Sequence, residues 1–528
     1  MSKRIGIFGW GVVAPKSPDV ETFENNLKRA TTWLEPFDGF GPSNFLVGRP
    51  EFDFEAYRPW IEARFEPRRF SQIQEKMGNT VKFAIGAFIQ ALRQNPGIEE
   101  VLRELRGQAH VYVGTGLGDF PLQYELVQHY RRAQLRWNRF WCQDEHNAEL
   151  ADYRRSDDEK KSAVRERLAA PPDPATIDRW SDEHDEAAEK WDEFWVARSD
   201  GLKNYLERQK EIEGVGITGD IDSGKSHLIR RKATTRRKLN QEFGCPTEPW
   251  NAVDPKLLWN IPNIPAAQIS MLGRITGPAF APVAACSGFG VALKMAIDAI
   301  RSDQAKVVVI GMTDPEPHAL SVGAFYGARV LSHDGEVSKP LTGFRGTHVS
   351  GGACVWIVGD ADYLTARGFE PLGLEILSVA LSSDADHIIT PSEEGPTTAM
   401  RRALEAAGVT PEDVATWDMH ATATPGDWSE LQNILSVLPD TTALTARKGS
   451  FGHGMSVCGG WELTAQHIGF SKGELHPVDT SEEEFHEQVR PYFSRLVANE
   501  TRKIEGDVAG KINMGVGGIN ACTICRRW

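Results

Sequence analysis

Short apolar runs closed by glycine alternate with amphipathic stretches over most of the chain. RIGIFGWGVV (4–13) and AHVYVGTG (109–116) have the length and composition of strands. NTVKFAIGAFIQALRQ (79–94), between them, repeats its apolar residues at the spacing of a helix face. The alternation resumes from about residue 255, with apolar runs KVVVIGM (306–312), ACVWIVGD (353–360), LGLEILSVAL (372–381) and KINMGVGG (511–518). Strands and helices that take turns in this way predict an α/β body. Between about residues 130 and 245 the texture changes to charged, tryptophan-bearing helix, as in DRWSDEHDEAAEKWDEFWVARSDGLKNYLERQKEIE (178–213). This stretch is expected to be a helical insertion, split by PPDPAT (171–176). Trp180, Trp191 and Trp195, spaced by eleven and four, are expected to share one helical face and to pack the insertion onto the body.

Length and charge narrow the function classes. A chain of 528 residues can bury a large core. Its net charge of −14 excludes bulk binding to nucleic acid, whose phosphates it would repel. No apolar run reaches the roughly eighteen residues of a membrane span. MSKRIGIFGWGVVAPKSPD reads as an opening strand rather than a leader, because glycines break its apolar stretch. Seven cysteines scattered over so long a chain form no disulfide framework, which points to a reducing, cytoplasmic setting. CTIC (522–525) reads as a closing strand whose Cys522 and Cys525 point to opposite faces, and no metal is expected.

Three segments carry chemistry. In ITGPAFAPVAACSGFGVALKMAIDAI (275–300) an apolar run, read as a strand, reaches Cys286, and Ser287, Gly288 and Gly290 lead into a helix. A thiol at a helix N-terminus is biased toward thiolate and so toward nucleophilic attack; by its local pattern alone it could equally be a buried structural cysteine. WDMHATATPGDWSE (417–430) sets His420 in a turn of small residues after a strand, and TARKGSFGHGMSVCGGWELTAQHIGF (445–470) sets Lys448 five residues before a glycine-flanked His453. Two neutral imidazoles can polarise a carbonyl or carboxylate while a thiolate attacks an acyl carbon.

Together these segments resemble the β-ketoacyl synthases of fatty-acid and polyketide synthesis, the Cys-His-His branch of the thiolase-like enzymes. AACSGFG is similar to the family's nucleophile motif, and His420-Ala-Thr-Ala-Thr-Pro-Gly-Asp427, with Glu430 following, to its first histidine motif, one residue shorter here. Lys448-Gly-Ser-Phe-Gly-His453 matches the second histidine motif, and Gly515-Val-Gly-Gly-Ile-Asn520 resembles the terminal glycine loop. The order of the motifs is the family's, and the resemblance spans everything but the insertion. A thiolase would need a second catalytic cysteine in that loop, the chalcone-type enzymes use Cys-His-Asn, and inactive chain-length partners lack the nucleophile. The elongating type fits best.

The resemblance implies a five-layered αβαβα thiolase-like fold of two similar halves. Residues 1–340 would carry Cys286 and the 130–245 insertion; 341–528 would carry both histidines. Cys286 would accept an acyl group from an acyl carrier protein or coenzyme A thioester. His420 and His453 would assist decarboxylation of a malonyl-type thioester, and Lys448 would tune His420. The backbone N–H groups of Cys286 and Val516 would form the oxyanion hole, and Thr422, Thr424, Gly517 and Gly518 would border the substrate. No cofactor is implied beyond the phosphopantetheine that arrives on the substrate, and a homodimer is. One departure stands out: an aspartate and a glutamate usual in the family fall at Gly346 and Gly352, and the glutamate would order the lysine. That loss leaves room for a non-decarboxylating acyltransferase on the same fold, and a non-catalytic partner subunit of another synthase is the other alternative. The family's gating phenylalanine falls at Val516, which would widen the acyl entrance.

GDIDSGKS (219–226) matches the phosphate-loop pattern letter for letter. Too few residues follow it to build a supporting parallel sheet, and Asp220 and Asp222 would repel phosphate, so a turn is expected rather than a nucleotide site. The basic cluster after it (His227, Arg230, Arg231, Lys232, Arg236, Arg237, Lys238) reads as a solvated face or, through Arg230, Arg231 and Arg236, as a dock for an acidic carrier protein.

Overall fold

The computed structural model describes residues 3–41, 44–388 and 392–528. It divides into two compact units, Met1–Leu122 with Leu258–Trp528, and Gln123–Leu257.

The first unit is built on two five-stranded sheets. One contains β1 (Ile5–Val13), β2 (Ala109–Gly114), β3 (Ala279–Phe280), β4 (Val307–Asp314) and β5 (Gly352–Asp360), in the order β1-β5-β4-β2-β3. The other contains β6 (Glu375–Ser383), β7 (Val414–Asp418), β8 (Ala443–Thr445), β9 (Val508–Gly515) and β10 (Ile519–Arg526), in the order β8-β7-β9-β10-β6. Read from the other edge, the second order is the first again: first strand, fifth, fourth, second, third. The pairing directions repeat too, parallel at β2/β4 and β7/β9, antiparallel at β4/β5 and β9/β10. The halves are two copies of one topology.

Strand periodicity assigns the layers. In β4 Val308, Ile310 and Met312 face the middle of the unit, and Val307 and Val309 face outward. The outward residues meet α1 (Asn79–Gln94) through Val81, Ala84 and Phe88. The inward ones meet α2 (Gly288–Arg301) and α5 (Cys458–Lys472), whose Phe289, Leu293, Trp461 and Ile468 fill the space between the sheets. On the far side α3 (Glu394–Ala407) and α4 (Gly426–Leu435) cover the second sheet with Met400, Leu404, Leu431 and Ile434. The result is the expected five layers, αβαβα. Cys522 lies in the outer core and Cys525 in the middle one, on opposite faces of β10.

The boundary between halves differs from the expected residue 340. β5 pairs with β1 from Ile5↔Asp360 to Val13↔Ala353, so the first half continues to Asp360. The second unit begins at Gln123 and ends at Leu257, wider than 130–245. Trp180 is 88% exposed and precedes the helix Asp182–Val196, so its spacing of eleven does not run along one helix. Trp191 and Trp195 are buried within the second unit's own core, against Tyr153 and Leu150. GDIDSGKS is a helix start rather than a turn: Asp220 accepts from Ser223 N–H at 3.0 Å, and the rest of the motif belongs to the helix Ile221–Phe243. The element immediately before it is the helix Asp200–Glu213, not a strand.

Candidate active site

β3 is only two residues long, shorter than the strand expected before the nucleophile. The chain then makes one tight turn, Ala285–Ser287, with Ala285 at φ +46°, and enters α2. Ser287 Oγ donates to Asn513 O (3.0 Å) and Ile519 O (2.6 Å), fastening the turn to the second half. Cys286 is buried, which pushes its thiol up to about 11 against the opposing influence of the Lys448 charge and the N–H groups of Val516 and of Cys286 itself. Burial outweighs the helix N-terminus, so the expected thiolate is not the resting form.

His420 follows β7 by two residues. Its turn is held by two carboxylates of α4: Glu430 accepts from the N–H of His420 (2.6 Å) and of Ala421 (2.7 Å), and Asp427 from Thr422 (2.7 Å) and Ala423 (3.0 Å). Lys448 opens the short helix Lys448–Phe451; its buried Nζ donates to the carbonyl of His420 and, at 2.5 Å, to Glu462 Oε1. Burial works against that ammonium, but Glu462 more than compensates and holds it charged. Gly452, at φ +72°, turns the chain into His453, whose N–H donates to His348 O at 2.6 Å. Burial, reinforced by Lys448, lowers both imidazoles, His453 to about 3 and His420 well below its ordinary value. Both rings are neutral near pH 7, with centroids 5.4 Å apart and planes at 81°.

Cys286, His420 and His453 line one cavity of about 310 Å³, with Thr422, Thr424, Val516 and Gly518 also on its wall. Gly517 is not on that wall; its N–H donates to Ile388 O at 2.7 Å and fixes the loop. Phe325, Val330 and Met514 make the remaining surface largely apolar. Among the described residues no group of three side chains is placed to hold a metal, and no helix is long and apolar enough to cross a membrane.

The acidic partner missing at Gly352 is supplied from elsewhere. A Cβ at Gly352 would lie 2.1 Å from Val13 O, so no glutamate fits there. Glu462, in the middle of α5, orders Lys448 instead, and its second oxygen takes Lys511 Nζ at 2.9 Å. Neither Glu462 nor Lys511 was singled out from the sequence. The available signal was a lone charge inside an apolar run, GGWELTAQ and GKINMG, where a buried charge demands a partner. Arg230 and Arg231 are exposed on the helix Ile221–Phe243, whereas Arg236 pairs with Glu213 and also donates to Asn251 Oδ1 at 3.2 Å. Arg236 is thereby tied up within its own unit.

Two family models match the chain, "Beta-ketoacyl synthase, N-terminal domain" over residues 236–359 and "Beta-ketoacyl synthase, C-terminal domain" over 374–480. It is 30% identical over 338 residues to the mitochondrial 3-oxoacyl-[acyl-carrier-protein] synthase of Arabidopsis thaliana, covering 60% of this chain and 68% of that one. The chloroplastic 3-oxoacyl-[acyl-carrier-protein] synthase I of the same plant is 30% identical over 271 residues (49% and 56%), and Nodulation protein E of Rhizobium meliloti (strain 1021) 30% over 270 (50% and 63%). The chain thus spans between about half and two thirds of these curated relatives. Among solved structures, the ishigamide ketosynthase/chain length factor is similar with a TM-score of 0.67 at 17% identity, and a β-ketoacyl synthase of Burkholderia phymatum STM815 likewise, each covering all of both chains. At that identity the likeness is one of fold.

Proposed function

The chain belongs to the β-ketoacyl synthase family, and on that premise we propose that it joins an acyl group to a malonyl-type thioester to give a 3-oxoacyl thioester. The observation that carries this reading is the meeting of one thiol and two neutral imidazoles on a single cavity, with a charged lysine fixed behind them. The Cys286 sulfur attacks the acyl thioester carbonyl; the carrier's thiol leaves with the proton that Cys286 gives up. The malonyl-type thioester then enters, and His420 and His453 hydrogen-bond its carbonyl oxygen. Loss of CO₂ leaves an enolate stabilised by those bonds, and its carbon attacks the acyl-Cys carbonyl. The N–H groups of Cys286 and Val516 receive the developing oxyanion. Collapse of the intermediate breaks the C–S bond and returns Cys286, which regains a proton. Lys448 serves by holding the His420 carbonyl and by adding its charge to the burial that keeps both imidazoles neutral.

Glu462 removes the ground for a non-decarboxylating transferase, and the access of Cys286 to the cavity speaks against a passive subunit. The acyl donor is proposed to be a carrier protein or coenzyme A thioester, with phosphopantetheine entering on it. A homodimer is proposed through the edge strand β3, where Phe280 and Val283 are exposed; a solution mass near one chain would rule it out. The reaction is tested by supplying an acyl thioester with malonyl-carrier and measuring CO₂ and 3-oxoacyl product. Equal amounts of both support condensation. Acyl transfer without CO₂ identifies a transferase, and no acylation of Cys286 identifies a partner subunit.

A further inference from the structure

β9 sends two polar side chains, Lys511 and Asn513, into the interior from one face, two residues apart. Both reach the same oxygen: Glu462 Oε2 accepts from Lys511 Nζ at 2.9 Å and from Asn513 Nδ2 at 3.2 Å. Lys511 also donates to Ile512 O (2.7 Å) and to Met419 O (3.0 Å), the carbonyl just before His420. Flanked by two ammonium groups, Glu462 is an acceptor only. The amide of Asn513 must therefore turn its NH₂ edge, not its carbonyl, toward this corner. That same nitrogen faces His420 Nδ1 at 3.5 Å and Cys458 Sγ at 3.9 Å.

From this juxtaposition we infer that Asn513 is a positioning residue for the condensation: held as a donor by Glu462, it fixes His420 with its proton on Nε2. A neutral imidazole whose Nδ1 faces a donor keeps that lone pair free, and its single proton goes to the other nitrogen. Nε2 is then left to hydrogen-bond a substrate oxygen. The 3.5 Å separation is long for a completed bond and matches the looseness of catalytic contacts in substrate-free sites. The backbone carbonyl of Asn513 meanwhile accepts from Ser287 Oγ, so one residue ties the histidine to the turn that carries the nucleophile.

The inference rests on the proposed role of His420 as a donor, and its test separates the two. In ¹⁵N-histidine-labelled protein, with His420 assigned by its loss in His420→Gln, long-range ¹H–¹⁵N spectra report the tautomer without substrate. The wild type should show His420 protonated on Nε2, and Asn513→Leu, which keeps the branching at Cγ but has no donor, should lose that preference. The same variant should lower kcat for condensation about 100-fold while KM for the malonyl thioester and the rate of Cys286 acylation stay within about threefold. His420 protonated on Nδ1 in the wild type, or an unchanged kcat in Asn513→Leu, overturns the assignment. Absence of CO₂ release by the wild type would instead defeat the condensation reading and leave the spectra to judge Asn513 alone.

Discussion

Cys286 keeps its proton at rest because the cavity costs the charged form more than Lys448 and the two N–H groups return. With the thiol pushed up to about 11, alkylation by iodoacetamide should accelerate about tenfold per pH unit from pH 7 to 10. A plateau below pH 8 would mean a preformed thiolate and would contradict this account. The residues around the sulfur were unequally legible. Cys286, His420, Lys448 and His453 each sit in a turn of small residues, and that local signature survives without a structure. Glu462, Lys511 and Asn513 sit inside a helix and a strand that read as ordinary core. Their meaning comes from contacts with residues 14 or more positions away in sequence, which no local pattern records.

At the scale of elements, the helix Ile221–Phe243 presents Arg230 and Arg231 to solvent in a chain of net charge −14. An acidic carrier protein is the partner such a face would attract. Charge reversal at Arg230 and Arg231 should raise KM for a carrier-bound acyl substrate severalfold and leave a pantetheine-bound one unchanged; equal effects on both would remove the docking role. Arg236 is left out because it already holds Glu213. Element types were largely readable from periodicity, but their partners were not. β5 is an evident strand in ACVWIVGD, yet nothing local says that it returns to pair with β1, and so the division at residue 340 fell short. Trp180 misled for a related reason: spacing counts along a helix only where the helix has already begun.

Over the whole molecule the repeated topology divides the chemistry. The first half carries the proposed nucleophile Cys286 in the turn before α2, the second carries both histidines and the lysine, and α2 and α5 meet in the middle layer. That layer is dry enough to keep histidines neutral. His467 accepts from Leu374 N–H at 3.0 Å on Nδ1, and burial lowers it to about 3. Below its unfolded value near 6.5 the unfolded chain binds a proton that the folded chain refuses. The stabilisation is therefore complete above pH 6.5 and is lost as pH falls toward 3. Relative to His467→Gln, the wild type should lose about 1.4 kcal/mol of stability per pH unit between pH 6 and 4 in urea titrations; parallel pH profiles would contradict the assignment.

The most direct measurement is a single turnover on Cys286 followed by intact-protein mass. After an acyl thioester is added and the excess removed, the chain should carry one acyl group, lost in Cys286→Ala. Addition of malonyl-carrier should then clear that mass while releasing one CO₂ and one 3-oxoacyl thioester per chain, and His420→Ala and His453→Ala should leave the acyl group in place. Acylation elsewhere than Cys286, or clearance without CO₂, would contradict the account.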